Sequence, residues 1–213
     1  MAGLLVKDMR LILRNKPYVV LFIVLTVMLG FSQEGTFILG YFPYAMMILI
    51  INTIGYDEMD NGYQFLMTLP INAKTYVREK YILSLAVAVF SWLIAAILYF
   101  ASRALHGTSI EIQSEVPLIA AFLPVIVLMG DLMIPLELKF GIENSRAVVA
   151  GLCGVLGVAI FTFAKFTGDN GIVPAFSYSM SGGMFACLAV CLTVFLTVLS
   201  YVISVRVMEK KEF

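Results

Sequence analysis

Residues 18–31 read YVVLFIVLTVMLGF, without one charged side chain. Runs of this kind recur along the chain and constrain its fold more than any other feature. In hydrocarbon every backbone N–H and C=O must be satisfied without water, so only helices and closed barrels cross a bilayer. Barrel strands alternate apolar and polar residues, and these runs do not. The chain therefore reads as an all-α integral membrane protein. Its hydrophobic content is 61%, against roughly 45–50% in soluble domains. A soluble fold of 213 residues could not hide that much apolar surface. The length fits one transmembrane domain over 1–213, with no separate soluble module.

The hydropathy pattern predicts six transmembrane helices, at 17–31, 37–56, 81–102, 117–136, 147–166 and 184–205. A helix needs roughly 20 residues to cross about 30 Å of hydrocarbon, so the first is short. Twelve of the fourteen lysines and arginines fall before the first run, between the second and third, between the fourth and fifth, or after the sixth. Only Arg103 and Lys165 remain for the other side. The positive-inside rule then predicts cytoplasmic termini and a cytoplasmic loop at 57–80. The residues GFSQEGT after the first run contain no small-x-small cleavage site, so that run is expected to stay as an anchor.

Several chemistries are excluded. Formal net charge is zero, which gives no footprint for nucleic acid. The single histidine, His106, cannot build multi-histidine haem or metal ligation. Cys153, Cys187 and Cys191 all fall within predicted spans and form no C-x-x-C, so neither a disulfide framework nor a metal site is expected. G-x-S-x-G and H-E-x-x-H are missing, and with them the common nucleophilic and zinc hydrolases. The chain has no P-loop and is not expected to bind ATP itself. No pair of carboxylates at matched depth supports an enzyme.

Asp131, in LPVIVLMGDLMIPLEL, is the clearest ionisable group inside a span. Such an aspartate costs roughly 2.5–3.5 kcal/mol on insertion scales and must face protein or water. It is either a pathway or proton-relay residue or a structural hydrogen bond to a neighbouring helix. The second reading is favoured, because no further intramembrane acid or lysine forms a chain with it. Small residues spaced by four, Ala147 with Gly151 and Ala150 with Gly154, permit close helix approach. Gly151 and Gly154 are thus candidates for a subunit interface or for packing within one chain.

Residues 1–16 form an amphipathic pattern. Lys7, Arg10 and Arg14 share one helical face, and Leu5, Met9 and Ile12 the opposite one. Pro17 breaks the helix before the first span. Such a helix lies in the membrane interface against lipid headgroups, or serves as a charged flank that fixes orientation.

The loop YDEMDNGYQFLMTLPINAKTYVREKY (56–81) is far more charged than the 13% of the whole chain. Asn61-Gly62 is a turn signal, and Asn61 with Gln64 has the spacing of a capping box. A short helix over 62–69 is predicted, ended by Pro70 and about 12 Å long. Phe65, Leu66 and Leu69 share one side, and Tyr63 extends that patch. Asn72 then caps the helix that becomes span three. Two isolated turns are not stable in water, so this helix must rest on its own spans or on a partner.

Thr68-Leu69-Pro70, followed by Lys74, Val77, Lys80 and Tyr81 after the acidic Asp57-Glu58, resembles the cytoplasmic loop of bacterial ABC-2-type permeases. The N-terminal helix resembles that family's connecting helix. Among its branches the chain is most similar to short permeases that accompany a separate ATPase, including exporters of phenol-soluble modulin peptides. Ala73 stands where a second basic residue is expected beside Lys74, and the outer segment 167–183 is too short for a sizeable extracellular domain. The resemblance implies an ABC-2 exporter-like (type V ABC exporter) fold of six transmembrane helices with a cytoplasmic coupling helix between the second and third. It implies a non-catalytic permease of the bacterial cytoplasmic membrane, paired with a second permease copy. A separate ABC ATPase subunit would bind ATP and Mg, and the cargo would be an amphipathic or hydrophobic peptide. The implied ATPase-coupling residues are Asp57, Glu58, Asp60, Tyr63, Phe65, Leu66, Leu69 and Lys74. The competing readings are a stand-alone proton-coupled carrier using Asp131 and the substrate-binding subunit of a vitamin importer. An intramembrane enzyme ranks behind both.

Overall fold

The computed structural model describes residues 2–14, 16–32, 35–59, 62–63, 72–107, 112–170 and 182–211. Within 152–170 and 182–188, and at a few further helical positions, it describes the backbone alone. Among the described residues six long helical elements follow one another: α1 (Ala2–Arg14), α2 (Lys16–Ser32), α3 (Thr36–Glu58), α4 (Ala73–Leu105), α5 (Ile112–Asn170) and α6 (Gly182–Lys210). Their breaks have local causes. Pro17 sits in the first turn of α2, where its missing N–H costs nothing, and α1 meets α2 at 64°. Gly35 precedes α3 with φ 79°, a left-handed conformation that glycine adopts without penalty. Asn72 holds the N-cap position of α4 in an extended conformation, without a side-chain cap. Its carbonyl instead accepts the N–H groups of Thr75 (2.8 Å) and Tyr76 (3.1 Å). Within α5, Gly141 (φ 75°, ψ 173°) joins two helices at a kink.

The span count departs from the sequence expectation. Among the described residues four helices are long and apolar enough to cross a membrane: Thr36–Glu58, Ala73–Leu105, Glu115–Gly141 and Ala189–Lys210. A fifth is reached only if the bent pair α1–α2 counts as one span. The expected first span fails alone because α2 has 17 residues, about 25 Å at 1.5 Å per residue, short of the roughly 30 Å of hydrocarbon. The expected fifth, 147–166, lies in the second half of α5, mostly where side chains are outside the described residues. The six-helix, type V exporter-like architecture is therefore corrected to an all-α, multi-pass membrane protein with four, or up to five, membrane-length helices among the described residues.

α3 is the central helix. Over half of its span is buried within the protein, against about a quarter for the other three. Its contacts form three apolar clusters along the bundle. At one end, here the loop end, Leu4, Ile54, Tyr76, Ile134, Leu138 and Met208 draw α1, α3, α4, α5 and α6 together. Met47, Ile50, Leu83, Ala88 and Ile126 fill the middle. There Gly130 lets α5 close on its neighbours, since a Cβ would collide with Met47 and lie 2.7 Å from the Ser84 hydroxyl. At the opposite end Ile38, Leu39, Phe42, Ala95, Tyr99 and Ile119 pack together. That end is fastened by Arg103–Glu115 (2.6 Å) and by the Ser102 hydroxyl donating to the Gly30 carbonyl (3.0 Å).

Candidate functional site

The loop end carries a buried charge cluster built from three helices. On α4 the buried positions Tyr76, Val77, Lys80, Leu83, Ser84 and Ala88 recur at three- and four-residue spacing, so Lys80 rides on the stripe that faces the core. On α1 the buried positions Leu4 and Asp8 are one turn apart. Lys80 and Asp8 are both fully buried and pair directly. Lys80 Nζ also lies 3.0 Å from Asp57 Oδ2 on α3 and donates to Thr53 Oγ1 at 3.0 Å. The Thr53 hydroxyl lies 3.2 Å from Asp8 Oδ2 and 2.7 Å from the Ile50 carbonyl, either of which can take its proton. Tyr76 donates to Asp57 Oδ2 at 2.9 Å. Lys7 closes the cluster by pairing with Asp57 and, at 3.2 Å, with Asp8.

Two ammonium groups thus meet two carboxylates, and the charges balance. Desolvating such pairs is expensive, so they are weak evidence of stability. What they provide is geometry, because only one placement of α1 against α3 and α4 satisfies them all. Glu79 is buried on the same turn, and its two oxygens have no hydrogen-bond partner among the described residues.

This arrangement revises the reading of the N-terminal helix. The sequence pattern sets Lys7 with Arg10 and Arg14 on a water-facing side. Instead Lys7 and Asp8 turn toward α3 and α4, while Arg10 and Arg14 stay exposed beside Val6, Met9 and Leu13. The missed members, Asp8, Thr53, Tyr76 and Lys80, had one legible signal. Asp8 and Lys80 are charged residues set on otherwise apolar helical stripes.

The expected coupling residues separate into groups. Asp57 is buried in the cluster. Glu58 is half-buried and pairs with Lys211 (3.3 Å). Lys211 also donates to the Leu138 carbonyl (3.3 Å) and lies 4.5 Å from the centre of the Tyr63 ring. Tyr63 is buried and meets Tyr76 edge-on at 5.9 Å. Burial, followed by nearby acids, holds its phenol well above the ordinary value. Lys74 is exposed and 3.6 Å from the exposed Glu209, a pair of little energetic weight. Asp60, Phe65, Leu66 and Leu69 lie outside the described residues. The loop is thus gripped at both ends: Asp57 and Glu58 hold its start, and Tyr76 and Lys80 its finish.

Asp131 lies away from this cluster, on α5 against α6. It is 7% exposed, and Thr197 donates to its Oδ2 at 2.6 Å. Pro135 has no N–H to offer the carbonyl four residues earlier, and the freed Asp131 carbonyl takes the Ser200 hydroxyl. Tyr81 of α4 joins Ser200 (2.6 Å) and Ser204 (2.9 Å). No described lysine or arginine pairs with the Asp131 carboxylate. It thus has a hydrogen bond to a neighbouring helix, and Asp131 also lines a cavity of about 280 Å³ between α4, α5 and α6. Gly151 is exposed, with open space where a Cβ would stand, and Gly154 is outside the described side chains. Among the described residues no cluster of His, Cys, Asp or Glu is set to hold a metal.

Residues 3–209 match the family described as ABC-2 family transporter protein. No curated protein and no solved structure matches the chain. A match over nearly the whole length, on an α-helical multi-pass bundle, is decisive: the chain belongs to the ABC-2 family of transporter proteins, whose membrane permeases are non-catalytic transport subunits.

Proposed function

We propose that this chain is the membrane-spanning permease of an ATP-driven exporter in a bacterial cytoplasmic membrane. It works as a pair of copies with two separate ATPase subunits, which bind ATP and Mg. Membrane domains of this family typically pair with separate ATPase subunits. The observation that carries the reading is the grip on the 57–80 loop. Asp57 at its start and Tyr76 and Lys80 at its finish share one buried cluster with α1. A push on the loop would therefore reach α1, α3 and α4 together rather than dissipate in a floppy connection.

In this reading Asp60, Phe65, Leu66 and Leu69 touch the ATPase, with Glu58 and Lys74 at the rim, while Asp57 and Tyr63 anchor the loop from within. Rim charges would steer association and make it salt-sensitive. Both termini and the loop face the cytoplasm. Gly151 and Gly154 contribute to contact with the second copy, since the open space at Gly151 leaves room for a neighbouring helix. The cargo is an amphipathic or hydrophobic peptide.

The test is the double change Phe65→Ala and Leu66→Ala. Burying one such side chain is worth roughly 1.5–3 kcal/mol, so losing both weakens docking by about 100-fold or more. The variant should insert and fold, lose most co-purifying ATPase, and lose transport-linked ATP hydrolysis. Full ATPase coupling in the folded variant would refute the assignment of this loop.

A further inference from the structure

The face formed by α4, α5 and α6 is recessed into a trough of two adjoining cavities, of about 280 and 260 Å³. Both are bordered by Leu85, Val127, Thr197 and Val198, so they lie side by side. Jointly they fall within the roughly 300–1,000 Å³ of small-molecule sites. The lining surface is almost wholly apolar, and Asp131 is its one acidic residue.

That carboxylate is what a greasy trough would otherwise avoid. It is more than nine-tenths buried, takes one hydroxyl hydrogen bond from Thr197, and has no cationic partner among the described residues. The neighbouring polar groups are already engaged: Ser200 on the Asp131 carbonyl, and Tyr81 on Ser200 and Ser204. An acid so placed is neutralised by a proton or by a cation that enters the trough. Arg78 lines the same first cavity from the loop end of α4 and fixes a positive charge there. A cation held at Asp131 would therefore keep clear of Arg78 by running its apolar part along the second cavity. That path follows α5 from Asp131 to Leu123, about 12 Å at 1.5 Å per residue.

We propose that this trough is a binding site for a singly cationic amphiphile. Its ammonium group pairs with the Asp131 carboxylate, and its apolar chain lies on Leu85, Val127, Val194 and Val198. Val198 is 58% exposed and borders both cavities, so the ligand enters sideways from the face of the bundle. The site needs no ATPase to form, and binding to the permease alone is a test separate from that of ATP coupling.

The experiment uses full-length protein in phosphatidylcholine nanodiscs, with empty nanodiscs as the partition control. Radiolabelled decylammonium is the probe and decanol its uncharged counterpart. Native protein should prefer decylammonium over decanol. Asp131→Asn retains an acceptor for Thr197 but removes the charge. It should weaken decylammonium by roughly 10- to 100-fold, the range for a charge-assisted hydrogen bond, and leave decanol unchanged. Val198→Trp, at an exposed position, should fill the trough and weaken both ligands at least about tenfold. Equal binding of decylammonium to native and Asp131→Asn protein would overturn the proposal and leave Asp131 as a structural partner of Thr197. So would unchanged binding in Val198→Trp. If Asp131→Asn fails to fold, the native protein decides: no preference for ammonium over alcohol refutes the site.

Discussion

Replacing Lys80 by Met removes the charge at the centre of the loop-end cluster while keeping an aliphatic side chain of similar reach. Lys80 and Asp8 are fully buried and Asp57 nearly so. After the change, two buried carboxylates share the single ammonium of Lys7, which is itself 31% exposed. Removing one partner of a buried ion pair costs about 3–5 kcal/mol, because the other charge is left uncompensated. Total stabilities are only about 5–15 kcal/mol, so this one change should remove about a fifth or more. Equilibrium unfolding in mixed micelles can be followed through the one tryptophan, Trp92. Its indole N–H donates to the Ile119 carbonyl at 2.8 Å and will report loss of the bundle. Pairing Lys80→Met with Asp8→Asn removes one stranded charge and should recover at least about 1 kcal/mol. If Lys80→Met stays within about 0.5 kcal/mol of the native protein, as a surface change would, the cluster does not hold the loop end together.

Two further outcomes are expected. Gly141→Ala forces a side chain into φ 75° and sets a Cβ 2.8 Å from the Glu58 carboxylate. The left-handed backbone alone costs about 1–2 kcal/mol, so the same unfolding assay should show at least that loss, and no loss would mean the kink does not need glycine. Single cysteines at Asn61, Gly107 and Asp169, in a background without Cys153, Cys187 and Cys191, report orientation. In intact cells an impermeant maleimide should label Gly107→Cys and Asp169→Cys but not Asn61→Cys, and the reverse pattern would invert the topology.

The apolar runs made much of the fold legible. The expected spans at 37–56, 81–102, 117–136 and 184–205 all lie inside described helices, because twenty apolar residues leave the backbone no other way to satisfy itself in lipid. Hydropathy alone does not show the polar extension of α4, but the expected cap position at Asn72 does. That helix begins at Ala73, eight residues before the apolar run, because Tyr76 and Lys80 are buried by Asp57 and Asp8 rather than by lipid. Among the described residues it also counted more spans than there are membrane-length helices, since the run at 17–31 forms a helix of only 17 residues.

The candidate site was less legible. Asp57 was chosen for its place in a charged loop, yet its partners Lys7, Tyr76 and Lys80 come from two other helices, and no local spacing encodes that meeting. Asp131 stood out because a lone acid in an apolar run has no local explanation. Its partner Thr197 lies 66 positions away, and nothing in either run connects them.

The central claim, that an ATPase drives this permease, is tested most directly by transport in inside-out membrane vesicles. The protein should co-purify with a subunit carrying a P-loop. Uptake of a fluorescent amphipathic peptide should require ATP and Mg, persist when a protonophore collapses the proton gradient, and fail in the Phe65→Ala, Leu66→Ala variant. Uptake without any ATPase, abolished by the protonophore and by Asp131→Asn, would contradict the account and make the chain a proton-coupled carrier.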